Sequence, residues 1–421
     1  MSGNLLITRR RAALLGLSSA IALGPAAAAF GASAALLPEG QRFIVVILRG
    51  ALDGLAAVPP YGDPNLAAWR KGLLLPEPGQ EGGLSDLGGH FGLHPALSRL
   101  HALYTAGELL PVHAVAGPYR SRSHFEAQDY LESGSDHRMT SGWLNRVVGV
   151  LPRSQRGYAP GGPAISVNGG VPLLLRGPAT VGSWEPDIMA EPPSELFTRI
   201  AELVHDDPLI GPAVAEGLRE RDFARRVMER ADGASVDAGG QSGRATFVTL
   251  AAVAGRLLAA PDGPRIAALE IGGWDTHAGQ VSHLNGALRR LDDGLAALRQ
   301  GLESAWTKTV IFAVTEFGRT VRMNGTAGTD HGTGTVAFVL GGAVAGGRIQ
   351  TNWPGLGRGN LFEDRDLQPT ADLRSIAKGL LAAHLRLSQE ALAQVFPNST
   401  AAPPMSDLIR GASAPLAHRR A

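Results

Sequence analysis

The chain has no cysteine among its 421 residues. That absence excludes structural disulfides, cysteine metal sites and thiol nucleophiles. It also excludes a sulfatase nucleophile matured from cysteine, and no Ser-x-Pro-x-Arg segment stands in for that motif. An excess of charge is missing too: 39 Lys and Arg face 38 Asp and Glu, a net charge of +1. No general attraction to nucleic acid or acidic membranes follows from that balance. The chain has no Gly-Lys-Ser/Thr phosphate loop, no Gly-x-Gly-x-x-Gly after a strand and no Gly-x-Ser-x-Gly elbow. Nucleotide-hydrolysis, nicotinamide-dehydrogenase and α/β-hydrolase readings lose their signatures with these. Internal repeats are absent as well.

What is present is a chain long enough for one large α/β domain or two smaller ones. A hydrophobic fraction of 44% supports a substantial core, and 55 glycines point to many loops. At the N-terminus, Thr8-Arg9-Arg10-Arg11 precedes an Ala-rich apolar stretch from Ala12 to about Phe30. Paired Arg before a mildly hydrophobic segment is the pattern of twin-arginine export, with Ala32-Ser33-Ala34 as a cleavage site. The alternative is an N-terminal membrane anchor, since the stretch is near the minimum spanning length. We therefore expect residues 1–34 to be a twin-arginine signal, the translocon to be a partner, and the mature chain to be periplasmic or extracellular. No other stretch is long and apolar enough to span a membrane.

Beyond the signal, apolar runs predict strands over Phe43–Leu48, Leu109–Val115, Arg265–Ile271, Thr309–Thr315 and Thr335–Leu340. Helices are expected over Pro95–Ala106, Ser123–Ser133, Ala245–Ala259, His283–Trp306 and Asp372–Leu387. In the long helix Leu284, Leu288, Leu291, Leu295 and Leu298 recur three and four apart. Alternation of helices with continuous apolar strands argues for α/β layers on a mainly parallel sheet. The domain is expected over 40–397, with 153–243 as a Gly/Pro-rich insertion or cap. That segment should hold short strands around Ala164–Val167 and Pro172–Leu175 and a helix around Ser194–Val204. Residues 398–421 read as an irregular tail.

Five segments place reactive side chains beside strand ends, where ligands bind in open α/β sheets. The first is Asp53, after Phe43-Ile44-Val45-Val46-Ile47-Leu48-Arg49-Gly50. The second is Arg120-Ser121-Arg122-Ser123-His124-Phe125-Glu126. Ser123 with Glu126 fits a capping box, but the same helix start, flanked by Arg120 and Arg122, suits an anion, and Ser123 suits a nucleophile. Ser121 and His124 are its local rivals. The third is Gly272-Gly273-Trp274-Asp275-Thr276-His277, either a metal-ligand pair for Zn²⁺ or Mn²⁺ or a helix cap with a surface His. The fourth is Thr315-Glu316-Phe317-Gly318-Arg319. A buried Glu316 there needs compensation, from Arg319 or from a metal. The fifth is Asp330-His331 in a Gly-rich loop, a ligand pair or a plain flexible turn.

These motifs together resemble those of the twin-arginine-exported bacterial proteins called domain of unknown function 1501. They are Arg49-Gly50-Ala51-Leu52-Asp53-Gly54, Arg122-Ser123-His124-Phe125, Gly272 through His277, Thr315 through Arg319, and Thr329-Asp330-His331-Gly332. The resemblance covers nearly all of the mature chain. Through that family it implies an alkaline phosphatase/sulfatase-like fold, a three-layer αβα sandwich with metals beside a Ser or Thr nucleophile. On that pattern Ser123 is the nucleophile, and Asp53, Asp275, His277, Glu316 and His331 are ligands of a divalent metal (Zn, Mn or Ca). Arg120, Arg122 and Arg319 hold the anionic group. Phe317 stands where a ligand His is expected, and Asp330 is the candidate replacement. The implied activity is hydrolysis of phosphate or sulfate esters; the alternative is a non-catalytic binding or assembly protein on a degraded hydrolase scaffold. The implied further partner is a second exported protein encoded nearby.

Overall fold

Strand β1, Arg42–Arg49, runs through the middle of the molecule with seven of its eight residues buried. The computed structural model describes residues 40–151, 159–168, 170–185, 194–230 and 246–411. The expected signal 1–34 and the end of the expected tail lie outside the described residues. The strands that follow β1 in the main sheet are β2 (Leu109–Ala116), β3 (Ala164–Val167), β4 (Gly182–Trp184), β5 (Ile266–Gly272), β6 (Thr309–Val314), β7 (Thr335–Leu340) and β8 (Ala371–Asp372). Their spatial order is β8-β2-β7-β6-β1-β5-β3-β4. All neighbouring pairs are parallel except those of β7, which runs antiparallel to β2 and to β6.

The helices over this sheet are α1 (Ser98–Thr105), α2 (His124–Ser133), α3 (Trp143–Val150), α4 (Ser194–Val204), α5 (Ile210–Arg230), α6 (Phe247–Ala259), α7 (Gln280–Leu302), α8 (Leu373–His384) and α9 (Gln389–Val395). Successive strand residues point to opposite faces, so β1 feeds two cores. Ile44, Val46 and Leu48 pack with α1, α6 and α7. Phe43, Val45 and Ile47 pack with α3, α8 and α9. This is a three-layer α/β/α architecture on a mainly parallel sheet, as the alternating pattern predicted. Leu284, Leu288, Leu291, Leu295 and Leu298 of α7 all lie in the first core, which accounts for their spacing.

Residues 153–243, expected as an insertion or cap, contribute β3 and β4 at one edge of the main sheet, together with α4 and α5. The short strand expected over Pro172–Leu175 is instead a 3-10 turn over Leu173–Leu175. Pro172 has no N–H for a ladder, and its carbonyl accepts from Leu175 N at 3.0 Å. Helices α3, α5 and α9 were not anticipated. α5 is rich in Arg and Glu and buries few apolar side chains, so its periodicity is weak.

The strand directions set up the site. Residues following β1, β2, β5 and β6 emerge at one edge, where these parallel strands end. Because β7 runs the other way, the loop before it also arrives there. That is why Asp330-His331, which precedes a strand, meets residues that follow strands.

Candidate metal centre

Trp274 fixes the exit of β5. Its ring is fully buried, and its Nε1–H donates to the Ile271 carbonyl at 2.9 Å. The next residue, Asp275, is thereby held at the sheet edge with its side chain 46% exposed. The β1 exit passes beside it at Gly50 (φ +121°), where a Cβ would lie 2.9 Å from Asp275 N. The freed Gly50 N–H donates to Glu316 Oε1 at 2.9 Å.

Glu316 lies two residues past the end of β6 with its side chain fully buried. Gln128 Nε2 of α2 donates to Oε1 at 3.0 Å and the Thr315 hydroxyl to Oε2 at 2.8 Å. His124 Nδ1 lies 2.8 Å from Oε1. Burial opposes the charged carboxylate, but these donors outweigh it and hold its pKa below the usual value. An ionised Glu316 can only accept, so His124 Nδ1 carries the proton and its Nε2 points away. His124 is the first residue of α2, directly after Ser123.

His331 is oriented by a second acceptor. Arg122 adopts a left-handed conformation (φ +60°), and its carbonyl lies 3.1 Å from His331 Nδ1. A carbonyl only accepts, so this Nδ1 also carries the proton. Gly332 allows the close approach, since a Cβ there would lie 2.3 Å from the Arg319 carbonyl carbon.

The remaining nitrogens converge. His124 Nε2 and His277 Nε2 each lie 3.0 Å from His331 Nε2. Asp275 Oδ1 lies 3.2 Å from His331 Nε2 and 3.0 Å from His277 Nε2, and Oδ2 lies 3.6 Å from His124 Nε2. His277 Nδ1 faces Asp330 Oδ1 at 3.2 Å. Imidazole lone pairs and a carboxylate therefore face one another with no donor of their own between them. A proton or a metal cation satisfies such a set. The hydrogen bond to Glu316 raises the pKa of His124, whereas burial, then His124 and Arg319, lower that of His331. Burial works against ionised Asp275, but Arg319 prevails and lowers its pKa.

The set also fits a metal. Ligand atoms of His124, Asp275 and His331 all lie within 4.8 Å of one another. The 3.0 Å between His124 Nε2 and His331 Nε2 and the 3.2 Å between His331 Nε2 and Asp275 Oδ1 lie near the roughly 3.3 Å edge of a tetrahedral zinc site with bonds near 2.0–2.1 Å. Each histidine has an acceptor on its other nitrogen, as metal-ligating imidazoles do. Phe317 walls one side, its ring centre 4.9 Å from that of His124 and 5.2 Å from that of His331.

Several expected site residues are placed differently. Asp53 does not join the cluster. Its side chain is 1% exposed and accepts from Arg70 Nη1 at 2.7 Å and Gln280 Nε2 at 2.6 Å. Arg319 is fully buried and donates to Asp275 at 2.6 Å and to the Thr329 carbonyl at 2.5 Å. Arg122 turns to Asp366 and Glu363. Arg120 donates to the carbonyls of Gly117 and Tyr119. All three arginines expected to hold an anion are thus occupied within the chain. Ser123 precedes α2 without a side-chain cap bond, and Glu126 pairs with the Tyr119 hydroxyl, so the expected capping box is not formed. His124, read from sequence only as a rival to Ser123, is central here. The signal that identifies it is its position, first in the helix that follows the short loop 117–123 after β2.

The model of the family described as "Protein of unknown function (DUF1501)" matches residues 110–396, and the chain belongs to that family. No curated protein matches it. Among solved structures it is similar to a protein in the alkaline phosphatase superfamily from Vibrio parahaemolyticus, with 11% identity and a TM-score of 0.39 over 82% of this chain. It spans 66% of that protein, just under two thirds. It is also similar to the C-terminal periplasmic domain of EcEptC from Escherichia coli, in complex with Zn (11% identity, TM-score 0.30, 73% of this chain and 77% of that one). A third is the phosphonate monoester hydrolase of Agrobacterium radiobacter (11% identity, TM-score 0.30, 74% of this chain and 70% of that one). None of these likenesses assigns an activity.

Proposed function

We propose that this DUF1501 member is an exported, metal-dependent hydrolase of phosphate or sulfate esters. The observation that carries the reading is the convergence of His124, His331 and His277 Nε2 on Asp275, with an acceptor fixing the other nitrogen of each ring. His124, Asp275 and His331 are the ligands of a divalent ion such as Zn²⁺, with Mn²⁺ and Ca²⁺ as rivals; His277 and Asp330 extend the set. Three protein ligands with one open position is the pattern of catalytic zinc.

When bound, such an ion acts as a Lewis acid and lowers the pKa of a hydroxyl beside it. Ser123, carried to the same edge by its bond to His124, is the nucleophile. Its Oγ forms a bond to phosphorus or sulfur as the ester oxygen leaves with a proton. Water then cleaves the seryl ester, restores Ser123 and releases the inorganic anion. Phe317 excludes water from one side, and Glu316 holds His124 in register.

The internal commitment of Asp53, Arg120, Arg122 and Arg319 favours a second reading, a binding or assembly protein on a degraded hydrolase scaffold. Assay of metal-loaded protein on phosphomonoesters, phosphodiesters and sulfate esters separates the two: turnover abolished by Ser123→Ala supports the hydrolase, and metal binding without turnover of any ester supports the scaffold. For localisation, no helix among the described residues is long and apolar enough to cross a membrane. Arg9-Arg10 and the apolar stretch after them support export by the twin-arginine translocon. A second exported protein encoded nearby is the proposed partner.

A further inference from the structure

A cavity of about 230 Å³ adjoins the histidine cluster, with Trp69, Arg322, Asn324, Asp330, Asp364 and Arg365 in its wall. Two contacts join them. Asp330 faces His277 Nδ1 at 3.2 Å, and Arg365 Nη2 donates to the His331 carbonyl at 2.7 Å. Unlike Arg122 and Arg319, Arg322 has no carboxylate partner among the described residues. It is exposed, and its guanidinium lies 4.7 Å from the centre of a Trp69 ring, a cation–π contact that holds it at the wall. Asp364 is exposed too, and no hydrogen bond or ion pair engages its carboxylate among the described residues.

A free guanidinium and a free carboxylate in one cavity select among anions, and Arg365, already bonded to the His331 carbonyl and 3.5 Å from Asp366, adds its remaining N–H groups. A purely cationic wall takes any oxyanion. A carboxylate in the wall repels an anion that has lost every proton, and accepts a hydrogen bond from one that keeps a proton. A phosphate group, with a second pKa of roughly 6, keeps a proton in part near neutral pH, and a carboxylate beside it raises that fraction. Sulfate keeps none.

We propose that this cavity is a subsite for a phosphate group that retains a proton. Arg322 and Arg365 donate to its oxygens and Asp364 accepts from its P–O–H, so the subsite prefers phosphate to sulfate. Assigning that phosphate to the substrate of the histidine cluster rests on the function proposed above; the binding itself does not.

The test is calorimetric titration of the purified protein with inorganic phosphate and with sulfate at neutral pH, with metal content measured on the same samples. Saturable phosphate binding is expected, with sulfate weaker by about tenfold or more. Arg322→Gln weakens phosphate binding by about tenfold, and Asp364→Asn narrows the gap between the two anions. His331→Ala loses metal and keeps phosphate binding. Equal affinity for both anions, unchanged phosphate binding in Arg322→Gln, or loss of phosphate binding together with the metal in His331→Ala overturns the proposal. Wild-type protein that binds phosphate and takes up no metal sinks the metal-centre reading and leaves the subsite standing.

Discussion

His331 Nε2 lies 3.0 Å from His124 Nε2, and the opposite nitrogen of each ring faces an oxygen that can only accept. Neutral rings so oriented present lone pair to lone pair. The pair is therefore built around a positive charge, and the second-layer acceptors Glu316 and the Arg122 carbonyl fix that polarity.

Glu316→Gln tests this second layer. The amide can donate to His124 Nδ1 as readily as accept, so the ring loses its enforced tautomer. Metal affinity should fall about 10- to 100-fold, read by competition with a chelating dye, while the circular dichroism spectrum stays native. Affinity equal to wild type would show that Glu316 does not orient His124.

Asp53→Ala should act on stability rather than on the metal. It leaves Arg70 buried without its carboxylate, and removing one partner of a buried pair costs about 3–5 kcal/mol. Denaturant unfolding should show that loss, while folded protein at low temperature retains metal stoichiometry. A stoichiometric loss of metal without loss of stability would return Asp53 to the ligand set.

Ser123→Ala separates nucleophile from cap. With no side-chain cap bond present, the stability change should stay within about 0.5 kcal/mol, and metal should be retained. Turnover of whichever ester the wild type hydrolyses should vanish. Persistent turnover would eliminate Ser123 as the nucleophile.

Away from the site, Glu220 gives a pH dependence. Burial, reinforced by Glu216, raises its pKa to about 7 against a donation from Ser183 N. The folded-state pKa lies above the unfolded one, so the folded state holds its proton more tightly. Stability is then full below the unfolded carboxylate range and falls as pH rises towards 7, by on the order of 2 kcal/mol. Glu220→Gln should flatten that slope and stabilise the protein at pH 8. An unchanged slope would show that the carboxyl ionises freely in the fold.

Much of this architecture was legible because the strands are continuous apolar runs bounded by Gly or polar residues. β7 matched its expected bounds, and β1, β2, β5 and β6 lie within a residue of theirs. α7 was visible in its Leu spacing, although it begins at Gln280 rather than His283, after Gly279 in a left-handed conformation (φ +53°). The edge strands β3 and β4 are short and lie among Gly and Pro, so their membership in the main sheet left no pattern. Asp275, His277, Glu316 and His331 stood out because they sit beside strand ends, but Glu316, expected as a metal ligand, instead orients His124 from behind, because its buried carboxylate is taken up by His124, Gln128, Thr315 and the Gly50 N–H. His124 was passed over because a helix-starting Ser drew attention first. The pairing of Asp53 with Arg70 was invisible because nothing in a short segment 17 positions downstream announces a buried guanidinium.

Metal content tests the central claim most directly. Wild-type, His124→Ala and His331→Ala proteins would be incubated with Zn²⁺, Mn²⁺ and Ca²⁺, freed of excess by gel filtration and measured by elemental analysis. The account predicts at least about one ion per wild-type chain, with Zn²⁺ preferred by the nitrogen-rich set, and its loss in both variants. Wild-type protein that emerges free of all three metals, or variants that retain as much as wild type, would contradict it.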